Sequence, residues 1–390
     1  MHPVTHPSRM DQVQTPIIPV VGGWIRETPG TISLGQGVVH YGPPPIVAEA
    51  VAKALGESST HEYNDGAGIP LLVDAIRRKL AVENHIEVGR DTRIMVTAGA
   101  NMAFMHAVLA ITMPGDEVIL PTPFYFNHEM AIEMAGCKAV RVPTDDRYQL
   151  RLDLLEQAIT PRTRALVTIS PNNPSGAVLS EPSLRAVNAL CRVRGIVHIS
   201  DEPYEYFTYG SATHVSPASF PDAAGHTISL YSLSKAYGFA GWRIGYMVYP
   251  EAMAAAVMKS QDTILICPTI AAQVGAAAAL SVGRSYSEPF VRELASIRDI
   301  VVSELSTLGE LATVPAADGA FYVLLRVNRP LDPLVLGERL VREHKVAVVP
   351  GVSFGMTDGC YFRVAFGALQ KATVTEGIGR LIAGLKAIAK

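Results

Sequence analysis

The sequence predicts an α/β fold in which a large unit, built on a mostly parallel central sheet flanked by helices, is joined to a smaller α+β unit. Two observations carry this. From Thr92 onward, short β-rich runs alternate with amphipathic segments, the rhythm of a parallel sheet covered on both faces. Beyond Arg284, strands are few and charges many, which marks a second unit. A chain of 390 residues has room for two or three compact units with sizeable cores. The expected division is an N-terminal arm with part of the small domain (1–44), a large domain (45–283) and a small C-terminal domain (284–390).

In chain order, Arg93–Thr97 reads as a strand, Asn101–Thr112 as a helix and Glu117–Leu120 as a strand. A helix over Phe126–Ala135 is stopped by Gly136. Strands at Lys138–Val142, Ala165–Ser170 and Ile196–Ser200 alternate with helices at Leu152–Ile159 and Glu181–Arg194, the latter with Ser180 as N-cap. Past Ser200 the rhythm changes. Ile228–Leu230 and Ile244–Val248 look like strands separated by a polar loop, so the sheet is expected to be mixed. A long helix follows over Glu288–Leu308, then strands at Phe321–Val327, Ala347–Val349 and Phe362–Ala365. The Pro-rich Met1–Pro19 arm has too few periodic apolar residues to form a core of its own.

Composition excludes several classes. Lys+Arg 33 against Asp+Glu 36, with 48% hydrophobic and 18% charged residues, is the balance of an ordinary enzyme, not of a disordered or nucleic-acid-coating chain. Cys137, Cys191, Cys267 and Cys360 are dispersed without a C-x-x-C pair, which suggests neither a metal cluster nor a disulfide framework and fits a reducing cytoplasm. The first residues carry no apolar signal region. The uncharged stretch between Asp262 and Arg284 is mostly alanine and reads as a buried helix, not a membrane span.

In doubly wound sheets ligands sit outside the carboxyl ends of the strands, so chemistry is sought just after each strand. Gly99-Ala100-Asn101 opens a helix with small residues whose amides and dipole suit a phosphate, although alone it reads as a tight turn. Pro123-Phe124-Tyr125-Phe126 suits either stacking on a planar ring or closing a core. Pro171-Asn172-Asn173-Pro174-Ser175-Gly176 is a stiff turn whose amides can face a ligand. In Asp201-Glu202-Pro203-Tyr204, an acid at the end of a buried strand is costly without a cationic partner, so Asp201 predicts one. The most specific segment is Ser232-Leu233-Ser234-Lys235 with Gly241-Trp242-Arg243-Ile244-Gly245 after it. A lysine among small and apolar residues favours the neutral amine needed for Schiff-base chemistry, and Ser232 with Arg243 can grip a phosphate beside it.

In this order and spacing, the set resembles the class I/II aminotransferases of the aspartate aminotransferase fold, fold type I of the pyridoxal 5′-phosphate enzymes. The likeness runs from Leu34-Gly35-Gln36-Gly37 to Phe362-Arg363-Val364-Ala365-Phe366. It implies that Lys235 joins the cofactor aldehyde and later moves the proton at the substrate Cα, while Asp201 keeps the pyridine nitrogen protonated. Asn173 and Tyr204 would bond the ring oxygen, and Tyr125 would lie over the ring face. The phosphate would fall to the Gly99 turn, the amides of Ala100 and Asn101, Ser232, Ser234 and Arg243. The resemblance further implies that Arg363 and the Gly37 amide take the substrate α-carboxylate, with Asn173 also in the substrate-binding set. Tyr63 would reach the phosphate of a neighbouring subunit, which implies a homodimer. The expected activity is transfer of an amino group from an L-amino acid to a 2-oxo acid by a ping-pong mechanism. A lyase, decarboxylase or oxidative deaminase on the same cofactor is the alternative.

Three positions depart from the common pattern. Gly37-Val38-Val39-His40-Tyr41 replaces the usual loop after the first strand, so His40 and Tyr41 either line the pocket or form an ordinary loop. Pro203 stands where a β-branched residue is usual. Asn101 stands where some aspartate-preferring relatives carry a lysine, which weakens a strict dicarboxylate assignment. Tyr125, Tyr41 and Phe354 would suit an aromatic or apolar donor.

Overall fold

The structure, a computed structural model, describes residues 6–315 and 317–389. The first five residues of the arm, Ala316 and Lys390 lie outside the described residues. Thirteen strands are described: β1 (Ile32–Ser33), β2 (Thr92–Thr97), β3 (Glu117–Thr122), β4 (Lys138–Pro143), β5 (Thr163–Ile169), β6 (Val197–Asp201), β7 (Thr227–Ser232), β8 (Gly245–Pro250), β9 (Ala312–Thr313), β10 (Tyr322–Val327), β11 (Val346–Ala347), β12 (Val349–Pro350) and β13 (Cys360–Ala365).

Seven of them form the central sheet, in the order β2-β8-β7-β6-β5-β3-β4. It is mixed, as expected, through β8, which runs antiparallel to both β2 and β7 while the other pairs are parallel. Side chains alternate across it with the period of two that a strand imposes. On β8, Tyr246 and Val248 join one buried cluster, whereas Met247 and Tyr249 join the cluster on the opposite face with Phe104, Leu120 and Ile132. Burial of each large side chain contributes roughly 1.5–3 kcal/mol, so both faces need cover.

The helices start and stop where the chain's punctuation puts them. The Glu181–Arg194 helix has Ser180 accepting from the Ser183 amide at 3.4 Å, and it ends in the left-handed Gly195 (φ 66°). The uncharged stretch contains the Ile270–Val282 helix, seven of whose residues are buried, and Gly275 lets Val47 and Val51 of the Pro45–Ala54 helix come close. Among the described residues no helix is long and apolar enough to cross a membrane.

A second, antiparallel sheet has the order β12-β13-β10-β9, and β1 pairs in parallel with β11. The strand expected over Ala347–Val349 is two pieces. Ala347 pairs with Ser33, and Val349 pairs with Arg363, so the chain must break at Val348 to serve two sheets. The arm leads into a helix at Ile17–Glu27 that sequence reading missed; Ile17 and Val21 are buried against Val341, Val349 and Phe354, so it borrows a core instead of making one.

Candidate active site

The C-terminal ends of β3, β5, β6 and β7 open on a cavity of about 230 Å³ that is closed from the other side by residues 35–37, Tyr322 and Arg363. Because β8 is antiparallel, its first residues lie at the same edge, which brings Arg243 there too. The lining brings together Gly37, Ala100, Asn101, Tyr125, Asn173, Asp201, Tyr204, Ser232, Ser234, Lys235, Arg243 and Arg363 from the expected set. Gly99 lies directly behind it. Its φ of +81° is one that L side chains rarely adopt, and a Cβ there would run into the Arg243 guanidinium. Tyr63 is not brought in; it is 82% exposed on the surface.

The Ala100–Ile111 helix begins at Gly99 with no side-chain cap, so its first amides are left for a ligand at the positive end of the helix dipole. Ser232 caps the short Leu233–Ala236 helix by accepting from the Ser234 amide at 3.1 Å, which fixes the turn that carries Lys235. The Lys235 amine donates to the Gly37 carbonyl. Burial, with Arg363 and Arg243 nearby, brings that amine down from 10.5 to about 8.

Asp201 is 4% exposed at the end of β6. One carboxylate oxygen, Oδ2, is 3.1 Å from Nε2 of His128; the other, Oδ1, is buried without a partner among the described residues. Within the chain the neighbour of Asp201 is His128, which sequence reading missed, while the ring nitrogen expected to pair with Asp201 is left the other oxygen. The only signal for His128 was its spacing, three residues after Tyr125 and so on the same helical face. Its ring stacks on Phe104 at 4.0 Å and meets Tyr125 edge-on at 5.4 Å.

Arg363 is 2% exposed on β13. It donates to Gly35 O (2.7 Å) and Asn173 Oδ1 (2.9 Å), and its guanidinium lies over the rings of Tyr322 (4.7 Å) and Phe354 (5.1 Å). Its Nε is buried without an acceptor among the described residues. Of the two loop residues left open, neither lines the cavity: His40 pairs with Glu293 at 3.4 Å, and Tyr41 stacks on Phe290 at 3.9 Å. Tyr41 instead donates to Lys235 O at 3.0 Å, bracing the lysine turn from behind.

The cavity therefore holds three basic side chains, Lys235, Arg243 and Arg363, against one carboxylate. Such an excess of positive charge suits a ligand set carrying a phosphate and a carboxylate. A mixed α/β sheet with an amine poised in such a site defines a cofactor-dependent enzyme of amino-acid chemistry.

The family described as aminotransferase class I and II matches residues 29–381, and the chain belongs to it. A probable aspartate/prephenate aminotransferase of Aquifex aeolicus is 38% identical, over 92% of this chain and 91% of that protein. An aromatic aminotransferase of Arabidopsis thaliana is 33% identical, over 95% and 94%. Among solved structures, an aspartate aminotransferase of Thermus thermophilus bound to maleate superposes with a TM-score of 0.89 at 30% identity, covering 98% of this chain and 100% of that one. The enzyme is a pyridoxal 5′-phosphate-dependent aminotransferase of fold type I. Its residues fit the cofactor: the unpartnered Asp201 Oδ1 awaits a ring N–H, the uncapped helix and Arg243 await a phosphate, and the Lys235 amine awaits an aldehyde.

Proposed function

We propose that the enzyme takes its amino group from L-amino acids with aromatic or bulky apolar side chains. The α-carboxylate is read from Arg363, a guanidinium 2% exposed with no salt-bridge partner among the described residues, and the side-chain preference from the apolar part of the cavity lining. A buried cation is costly without an anion, and a planar fork selects a carboxylate over an amine. Ile18, Tyr125 and Phe126 supply an apolar wall for the side chain. The aromatic aminotransferase of Arabidopsis thaliana, 33% identical, agrees with this reading. A dicarboxylate donor is the second reading, favoured by the names of the Aquifex and Thermus relatives. It needs a further cation, and the other basic groups lining the cavity, Lys235 and Arg243, have other work.

When bound, the cofactor supplies an aldehyde and a ring that accepts electrons from the substrate carbon. Arg363, with the Gly37 amide, holds the α-carboxylate so that the Cα hydrogen faces Lys235. The Lys235 amine, neutral in a large share of molecules near pH 8, takes that proton and returns it on the other side of the transfer. Asp201, steadied by His128, would keep the ring nitrogen protonated. Tyr204 and Asn173 would hold the ring oxygen, Tyr125 would pack on the ring, and Gly99, Ala100, Asn101, Ser232, Ser234 and Arg243 would retain the phosphate. Amino acid enters and 2-oxo acid leaves before the second 2-oxo acid binds, so ping-pong kinetics follow.

The same reading includes the division at 44 and 283, a cytoplasmic location, supported by four free thiols, and a homodimer. The Gly66 turn packs against Met258 and Ile266, which with Tyr63 leave an exposed apolar group for a second subunit. The test of the donor is a panel of L-amino acids mixed with cofactor-loaded enzyme without an acceptor. Phenylalanine, tyrosine and leucine should bleach the visible band faster than aspartate and glutamate. The opposite order overturns the preference, and no bleaching by any amino acid would remove Arg363 as the carboxylate site.

A further inference from the structure

Tyr322 lies on β10 inside an apolar strand and is fully buried, yet its hydroxyl is 2.7 Å from that of Tyr204 and it lines the cavity. We infer that Tyr322 is a positioning residue: its hydroxyl donates to Tyr204 and so turns the single Tyr204 O–H toward the cofactor ring oxygen. The inference rests on the placement of Tyr204 proposed above.

A proton count supports it. A phenol carries one O–H and accepts through its lone pairs. Burial pushes Tyr204 and Tyr322 up, so both keep their protons, and of two protonated phenols at this distance one must donate to the other. Asn173 Oδ1 accepts from the Arg363 guanidinium at 2.9 Å, which leaves its Nδ2 facing Tyr204 at 3.5 Å as a donor. The group above the Tyr322 ring, the Arg363 guanidinium at 4.7 Å, is also donor-only. Among the described residues, the Tyr204 oxygen is thus the acceptor within reach of Tyr322. Tyr204 then receives from Asn173 and Tyr322, and its own proton is left for the cavity. A hydroxyl that also accepts becomes a stronger donor, because hydrogen bonds in a chain polarise one another. The arrangement also depends on residue 37: a Cβ there would sit 2.8 Å from the Tyr322 hydroxyl, so Gly37 makes the room.

The test replaces the hydroxyl and keeps the ring, with Tyr322→Phe, Tyr204→Phe and the double variant. The readouts are the pH titration of the visible absorbance of the cofactor-loaded enzyme and the cofactor dissociation constant. Tyr204→Phe should raise the titration midpoint, because the ionised ring oxygen loses its donor. Tyr322→Phe should raise it in the same direction by about half a pH unit to one unit, and weaken cofactor binding about 3–10-fold. The double variant should titrate as Tyr204→Phe alone, since Tyr322 acts through Tyr204. A wild-type midpoint in Tyr322→Phe, or additive shifts in the double variant, overturns the inference while leaving Tyr204 in place. An unshifted Tyr204→Phe removes the placement of Tyr204 and this inference with it. Should Tyr322→Phe not fold, fluorotyrosine at 322 keeps the shape and is the stronger donor; it should lower the midpoint, and an unchanged or raised one is contrary to the proposal.

Discussion

His128 and Asp201 meet beside the cavity that Asp201 lines, Nε2 to Oδ2 at 3.1 Å, joining a helix that follows β3 to the end of β6. The contact spends one carboxylate oxygen on the protein and leaves the other for a ligand. Removing its partner strands a buried oxygen, which costs about 1–3 kcal/mol. His128→Leu should therefore lower the denaturation midpoint of the apoprotein and weaken cofactor binding, and His128→Gln, which keeps a donor, should recover part of both. A His128→Leu protein with unchanged cofactor affinity would mean that the contact does not steady Asp201.

Lys235 makes stability depend on pH. Its amine is at about 8 in the folded chain against 10.5 ordinarily, so the unfolded chain binds more protons between those values and stability rises with pH across that window. Below pH 8 the full penalty applies, on the order of 3 kcal/mol from the size of the shift. Lys235→Met should stabilise the apoprotein at pH 7, and the gain should shrink as pH rises from 8 toward 10.5. Urea titrations of both proteins at a series of pH values measure it.

Arg363→Lys keeps the charge and loses the planar fork. We expect kcat/KM for L-amino acids to fall roughly 10–100-fold, most of it in KM, because the lost contact is present in the bound ground state as well as in the transition state. Steady-state kinetics with one donor and one acceptor decide this.

Gly99→Ala places a methyl group against the Arg243 guanidinium and forces a strained φ on an L-residue. The strain alone costs about 1–2 kcal/mol, and the displaced arginine adds a loss of phosphate affinity. Cofactor dissociation followed by fluorescence should be at least about tenfold weaker.

Tyr63 tests the sharing of sites between subunits. Lys235→Ala and Tyr63→Ala proteins, each impaired alone, should regain activity when unfolded and refolded together. In a hybrid dimer one site carries both substitutions and the other neither, so random pairing restores about a quarter of wild-type activity. No gain on mixing would place Tyr63 outside the neighbouring site.

Much of the site is readable along the chain because parallel sheets put ligand contacts in short segments just past strand ends. Ser232 to Lys235 and Asp201 to Tyr204 are such segments, where residue type and spacing are themselves the signal. Other residues carry a weaker mark or none. Tyr41 reads as either pocket or loop, His128 as one polar position on a helix, and Tyr322 as another aromatic in a core strand. What ties each one to the site is a partner far away in sequence: Tyr322 and Tyr204 are separated by 118 residues.

By itself the sequence determined the alternation of elements, the mixed sheet and the chemistry available at the strand ends, because propensity, periodicity and turn residues act over a few neighbours. The tertiary structure alone decided which groups face one another: the break at Val348 between two sheets, the turn of His40 and Tyr41 away from the cavity, and the choice of His128 to answer Asp201. Those outcomes depend on burial and on the pairing of polar atoms across the packed interior, where an unmet donor or charge is costly and its partner can come from any part of the chain.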